Sequence, residues 1–371
     1  MFYLDANATE PLRPQARAAA LTAMDRLGNP ASIHAPGRTA RRILEEAREA
    51  LAVAFDARPQ NIVFTSGATE ANALAVHALG HNRFILIGAT EHDAVRAAAP
   101  DAIIIPVTAA GLVEACTLEG LLIRHPGALV CLMAANNETG VLHNLPEAAA
   151  LCAAHGALLH VDAVQAAARS RVDWLGLGAA SVAISGHKAG GLMGAGALLL
   201  APAQAERLTP LIAGGGQEMG RRGGTPALPA IAGMAAALAL PYPAEIAGWR
   251  DEIARACEAM GAVVVGKAAP RLPNTLCVAL PGVRAETQLI ALDLAGIAVS
   301  AGSACSSGKV ANSHVLAAMG LGALAGQAIR VSLPWNAGPG AVAAFTSAYE
   351  AMAARALRGP TRASSAWHES A

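Results

Sequence analysis

The chain has 371 residues, 54% of them hydrophobic and 15% charged, and its 27 Lys and Arg balance 27 Asp and Glu. That length suggests two domains with ample material for a large core, and zero net charge without a basic block or arm argues against nucleic acid and anionic membranes as partners. The longest uncharged stretch, 223–244, is divided by Pro226, Pro229, Pro241 and Pro243, so it predicts a buried Ala-rich helix, too short for the ~20 residues of a bilayer span.

The amino terminus, Met1-Phe2-Tyr3-Leu4-Asp5, shows no basic region followed by an apolar one, so no secretory signal is expected. Short apolar, β-branched runs then recur at 62–64, 84–88, 103–107, 129–133, 158–162, 181–185 and 197–200. Helix-like segments separate them, which predicts a mostly parallel sheet covered on both faces. Polar clusters end several runs: Thr65-Ser66-Gly67, Asn136-Asn137-Glu138, Asp162, and Ser185-Gly186-His187-Lys188. Ligands of open α/β sheets sit beyond the carboxyl ends of strands, so these clusters are expected to converge. Past 241–243 the pattern changes to a helix at 245–260, shorter strands at 262–265, 275–279 and 329–333, and a terminal helix near 341–357. We therefore expect a large domain at 14–244 and a smaller α+β domain from 1–13 and 245–371, with a frayed tail at 359–371.

Six cysteines, at 116, 131, 152, 257, 277 and 305, form no CxxC pair and no cluster with histidine. This predicts reduced thiols in a cytoplasm, with neither a disulfide framework nor a resident metal. Cys116, Cys131, Cys152, Cys257 and Cys277 read as small buried hydrophobes.

Only three of the 27 basic residues are lysines, and Lys188 ends Ser185-Gly186-His187-Lys188. Upstream, His160-Val161-Asp162-Ala163-Val164-Gln165 places an acid and an amide after an apolar run. Pyridoxal phosphate needs these groups: an amine to hold it as a Schiff base, a carboxylate for its pyridinium nitrogen, and a donor for its ring oxygen. Thr65-Ser66-Gly67-Ala68-Thr69-Glu70 leads a strand into a helix and reads either as an ordinary capping turn or as a phosphate site at the helix N-terminus. His92 suits a helix start as well as a catalyst, and Asn137 a structural loop as well as a ligand.

Taken in order, this series resembles the cysteine desulfurases, pyridoxal-phosphate enzymes grouped with the class V aminotransferases. The likeness extends through Tyr3-Leu4-Asp5-Ala6-Asn7-Ala8-Thr9, Gly28-Asn29-Pro30-Ala31-Ser32, Gly214-Gly215-Gly216-Gln217-Glu218, Arg222-Gly223-Gly224-Thr225, Ser303-Ala304-Cys305-Ser306-Ser307 and Ile329-Arg330-Val331-Ser332. It implies fold-type I of the pyridoxal-phosphate enzymes, with a mostly parallel seven-stranded sheet in the large domain. It also implies that Lys188 holds the cofactor and moves the substrate α-proton. Asp162 pairs with the ring nitrogen, Gln165 donates to the ring oxygen, and His92 stacks on the ring and serves as acid or base. Ala68, Thr69, Ser185 and His187 bind the phosphate, joined by Thr225 from across a homodimer with shared sites. Asn137 contacts cofactor and substrate, and Arg330 forks onto the substrate carboxylate.

Cys305 decides the reaction type. Its setting, Ser303-Ala304-Cys305-Ser306-Ser307-Gly308-Lys309, suits a mobile loop. Such a thiol can take sulfur from L-cysteine as a persulfide, leaving L-alanine, and pass it to an acceptor or iron–sulfur scaffold protein, with transient contact to a cluster. The loop matches the long-loop branch of the family. An aminotransferase or lyase acting on small amino acids, or on selenocysteine, is the alternative, and a sulfur-assembly scaffold without catalysis a third. The run 302–309 is one residue too long for a phosphate-binding loop. Residues 190–196 read as a turn that doubles the chain back after Lys188. Glu10, Gln217, Met219 and Gly223 depart from the family pattern and leave substrate entry and dimer details open.

Overall fold

A computed structural model of the chain describes residues 1–170, 172–301 and 312–357. Its strands are β1 (Phe2–Tyr3), β2 (Ile62–Thr65), β3 (Ile85–Gly88), β4 (Ile103–Ile105), β5 (Leu129–Met133), β6 (Leu158–Asp162), β7 (Ser181–Ser185), β8 (Gly196–Leu200), β9 (Val263–Val264), β10 (Thr275–Ala279), β11 (Ile297–Ala298) and β12 (Ala328–Ser332). β2 to β8 form one seven-stranded sheet in the order β2-β8-β7-β6-β5-β3-β4. Pairing is parallel from β4 through β7, whereas β8 runs antiparallel to both β7 and β2. β5, β7 and β8 are buried at every residue, the signature of a sheet covered on both faces.

The expected turn after Lys188 is present, because β7 and β8 are a hairpin joined through 186–195. Gly190 adopts φ +87°, and a Cβ there would come within 2.7 Å of Arg13 Cγ and 2.9 Å of the Pro11 carbonyl. Strand 103–107 is shorter than expected, ending at Ile105 before Pro106, which cannot donate to a ladder.

The Ala-rich segment is the helix Leu228–Leu238, with nine of eleven residues buried. It packs against the helices Pro14–Met24 and Ala35–Ala54, the latter strongly amphipathic. Among the described residues no helix is long and apolar enough to cross a membrane. A second apolar cluster gathers Leu4, Ile253, Val331, Phe345 and Tyr349 around the antiparallel sheet β12-β10-β9 and the helices Ile246–Ala259 and Pro339–Leu357. Two short strands escaped the sequence reading, β1 and β11, which pair in parallel and bring Leu4 into this cluster.

Cys131, Cys152, Cys257 and Cys277 are buried, as expected, but Cys116 is exposed. It lies on the helix Ala115–Arg124, whose buried face carries Leu118, Leu121 and Leu122. Two residues from Leu118 along a helix of 3.6 residues per turn is the opposite side.

Candidate active site

Beyond the carboxyl ends of β2, β5, β6 and β7 lies a cavity of about 1080 Å³. The sheet side supplies Ala68, Thr69, Asn137, Asp162, Gln165, Ser185, His187 and Lys188, and the loop after β3 supplies His92. The opposite wall is built from Asn7, Ala8, Ser300, Asn312, His314 and Arg330. The polar clusters expected to converge therefore do so. Thr225 is not among the lining residues; it borders a neighbouring recess with Ser66 and Gly194. Cys305 and its loop lie outside the described residues, as does the tail 359–371.

The Lys188 amine donates to the carbonyls of Asn7 (2.6 Å) and Ala8 (2.9 Å). Burial, with the charges of Arg330 and Arg169, pushes it down to about 8 against the pull of Asp5 and Asp162. A buried amine of this kind reaches its neutral, nucleophilic form near physiological pH.

Asp162 closes β6. One carboxylate oxygen accepts from Val164 N (3.0 Å) and the other from Asn72 Nδ2 (2.7 Å). Burial pushes this carboxyl up, while those hydrogen bonds and the charges of His92 and Lys188 pull it back. Glu91 is fully buried nearby, and burial together with the Asp162 charge holds it well above the usual carboxylate range. Glu91 Oε1 accepts from Met133 N (2.6 Å). His92 caps the short helix Asp93–Arg96, as its position suggested, and also lines the cavity. Its Nδ1 accepts from Ala94 N (3.0 Å), so the proton of the neutral ring sits on Nε2.

Gln165 is oriented by charge. Its side-chain oxygen accepts from Arg169 Nη1 (2.9 Å), which turns Nε2 toward the Asn7 carbonyl (3.1 Å). Arg169 is in turn paired with Glu10 at 2.7 Å, both side chains nearly inaccessible. Burial pushes Glu10 upward, and Arg169 and Trp335 N only partly offset it. Glu10→Gln is expected to leave Arg169 as an unpaired buried cation and to cost about 3–5 kcal/mol. A lowered urea midpoint with an unchanged slope would register it; an unchanged midpoint would refute it.

The turn Ser66-Gly67-Ala68 opens the helix Ala68–Leu79, and Ser66, Gly67, Ala68 and Thr69 line the cavity at its N-terminus. Gly196 makes this possible: a Cβ there would lie 2.5 Å from the Gly67 backbone. Arg222 locks the turn, bonding Ser66 Oγ (2.7 Å) and Glu70 (2.8 Å). His187 reaches Thr9 Oγ1 through Nδ1 (3.1 Å), and burial beside Lys188 pushes it down to about 4. Beside Thr225, Glu218 (φ 50°) and Met219 (φ 58°) hold left-handed backbone, a strain of about 1–3 kcal/mol each. The bidentate Arg48–Glu218 pair, 2.8 Å on both arms, secures that segment.

Arg330 reaches the cavity from β12, with Nη2 on Asp5 (2.6 Å) and Nη1 on the Asn137 carbonyl (3.1 Å). Its Nε has no partner among the described residues. The sequence reading assigned no role to Asn7, Asn72, His160, Ser300, Asn312 or His314. For Asn72 a signal existed: a poor helix former three residues after Thr69, hence on the same helix face. His160 carried another, standing two residues before Asp162 on one strand and hence on the same sheet face; Asn7, Ser300, Asn312 and His314 gave no such positional signal.

The aminotransferase class-V family model matches residues 2–342. A cysteine desulfurase of Frankia is 38% identical over 367 residues, covering 90% of this chain and 86% of that protein. An IscS-like cysteine desulfurase of Mycobacterium tuberculosis is 35% identical over 360 residues, covering 90% and 91%. A NifS-like protein from Rickettsia africae superposes with a TM-score of 0.88 at 34% identity, over 95% of this chain and 99% of that one. A structure described as SspA in complex with cysteine has a TM-score of 0.80 at 28% identity, over 90% and 99%. With a seven-stranded, mostly parallel sheet of fold-type I and relatives matched along most of its length, the chain belongs to the pyridoxal-phosphate-dependent cysteine desulfurases of the class-V aminotransferase family.

Proposed function

We propose that the chain takes sulfur from L-cysteine, releasing L-alanine and leaving a persulfide on Cys305 for an acceptor or iron–sulfur scaffold protein. The observation that carries this is a lowered lysine amine sharing one cavity with a buried carboxylate, an oriented amide and a helix N-terminus. The relative holding cysteine in its site supports the substrate.

The residues fit pyridoxal phosphate. Lys188 supplies the tethering amine, Asp162 an anion for the ring nitrogen, and Gln165 a donor already turned toward the strap at Asn7. Ala68, Thr69, Ser185 and His187 surround the place for a phosphate. When bound, this cofactor withdraws electrons from the substrate Cα. Lys188 Nζ would carry the Cα proton, and His92 Nε2 would present a second proton-transfer site in the same cavity. Asn137 and Arg330 grip the substrate carboxylate. The Cys305 thiolate then bonds to the substrate sulfur as the C–S bond breaks; the carbon that keeps the electron pair takes up one proton, and Cα regains the proton held by Lys188, giving alanine.

A homodimer with Thr225 serving the partner's site is part of this reading. It is supported by Leu211, Ile212 and Met219, apolar and exposed on the segment leading to Thr225. One apolar cluster lies within 14–244 apart from Leu272, and the buried members of another all fall in 1–13 and 245–371, which supports the division into 14–244 and 1–13 with 245–371. A cytoplasmic setting agrees with the free thiols among the described residues.

Incubating the purified protein with L-cysteine should yield alanine, with the persulfide mapped to Cys305 by mass spectrometry. No alanine, or a persulfide confined to another cysteine, overturns the reading. Arg330→Ala is expected to raise KM for cysteine about 10- to 100-fold with a smaller change in kcat, the worth of a charge-assisted contact of about 1.5–3 kcal/mol. An unchanged KM would place the carboxylate elsewhere.

A further inference from the structure

Asp162 is held from behind by a line of fully buried side chains. Asn72 Nδ2 donates to its Oδ2 at 2.7 Å, His160 Nε2 lies 2.9 Å from Asn72 Oδ1, and Ser181 Oγ lies 2.8 Å from His160 Nδ1. Asn72, His160 and Ser181 are each 0% exposed. Topology explains the alignment. His160 precedes Asp162 by two residues on β6 and so shares its sheet face, and Ser181 is its direct neighbour on β7. The helix Ala68–Leu79 covers that face and delivers Asn72.

The hydrogen-bonding inventory permits one arrangement. A carboxylate offers acceptors only, so the Asn72 amide must turn its NH2 to Asp162. Asn72 Oδ1 then needs a donor, which makes His160 Nε2 the protonated nitrogen. Burial pushes His160 down to about 4, so the ring is neutral and Nδ1 is a bare acceptor for the Ser181 hydroxyl. Turning the amide over would set two oxygen lone pairs against each other in a dry site. A cation in place of Asn72 would also hold Asp162, but would cancel the charge the ring nitrogen needs. A neutral amide orients the carboxylate without neutralising it.

We propose that Ser181, His160 and Asn72 form a one-directional hydrogen-bond relay that positions Asp162 for the cofactor's ring nitrogen. His160 and Asn72 are positioning residues, and the relay joins the ring-nitrogen end of the site to the helix that opens at the phosphate turn. The proposal rests on the reading of Asp162 given above.

The test uses wild-type protein labelled with ¹⁵N-histidine, cofactor-bound and cofactor-free. The histidine whose Nδ1 resonance shifts in Ser181→Ala should remain neutral with its proton on Nε2 between about pH 6 and 8. A ring at this position protonated on Nδ1 overturns the relay. Equilibrium binding of pyridoxal phosphate to the cofactor-free protein gives the second reading. His160→Leu should raise the dissociation constant roughly 10-fold, whereas His160→Gln, which keeps both a donor and an acceptor, should stay within about threefold. Equal loss in both variants overturns the proposal. Should His160→Leu fail to fold, Asn72→Ala takes its place with the same expected loss. In Asp162→Asn, unchanged affinity and cofactor absorbance would overturn the Asp162 reading itself, a failure separate from that of the tautomer.

Discussion

Lys188→Ala is expected to abolish the absorbance of covalently held pyridoxal phosphate and to lower turnover of L-cysteine by more than about 10³-fold, because tether and proton carrier vanish together. Lys188 is one of three lysines; of the others, Lys267 is not among the residues lining the cavity and Lys309 lies outside the described residues. The wild-type protein allows a finer test. With its amine lowered to about 8, Lys188 is the cationic form below that value and the neutral nucleophile above it. Capture of added pyridoxal phosphate by cofactor-free protein should therefore speed up as pH rises and level off above about 8. At pH 7 roughly one amine in ten is already neutral, against roughly one in 3,000 for an unperturbed lysine. A capture rate still climbing steeply toward pH 10 would show that burial and the Arg330 and Arg169 charges do not act on this amine. Residual turnover in Lys188→Ala near the wild-type level would remove the basis of the proposed chemistry.

Cys305→Ala should behave differently. Cofactor absorbance is expected to persist while sulfide release and persulfide formation fall by more than about 100-fold, the loss of a nucleophile with no substitute. The structure supports the absence of a substitute. Burial pushes Cys152 and Cys257 up to about 12 and Cys131 and Cys277 upward as well, so none of these thiols is an accessible thiolate. Cys116 is exposed, but on the helix Ala115–Arg124 and not in the cavity lining. Full turnover in the variant would favour an aminotransferase or lyase reaction on small amino acids.

The sheet-side lining of the cavity was legible because it obeys a local rule. Thr69, Asn137, Asp162, Ser185, His187 and Lys188 each follow an apolar run, and in a parallel sheet the ends of such runs share one edge. Gln165 follows the same logic three residues past β6. Thr225 borders only the adjoining recess within one chain, so its role rests on the proposed homodimer. Cys116 was misread because apolar neighbours in sequence do not share a helix face.

What the sequence by itself determined, then, is the succession of the large sheet's strands along the chain, the residues at their carboxyl ends and the family to which they are similar. All of this is encoded in alternating apolar runs and short motifs within a few residues of one another. Only the tertiary structure decided how those residues are held. Lys188 rests on the Asn7 carbonyl across 181 positions, Arg330 on Asp5 across 325, Arg169 on Glu10 across 159, and His160 on Asn72 across 88. A hydrogen bond or buried ion pair depends on distance and direction in space, and burial sets its strength. Neither quantity leaves a periodic trace along the chain, so the orientation of each catalytic group emerges when the folded layers bring distant segments together.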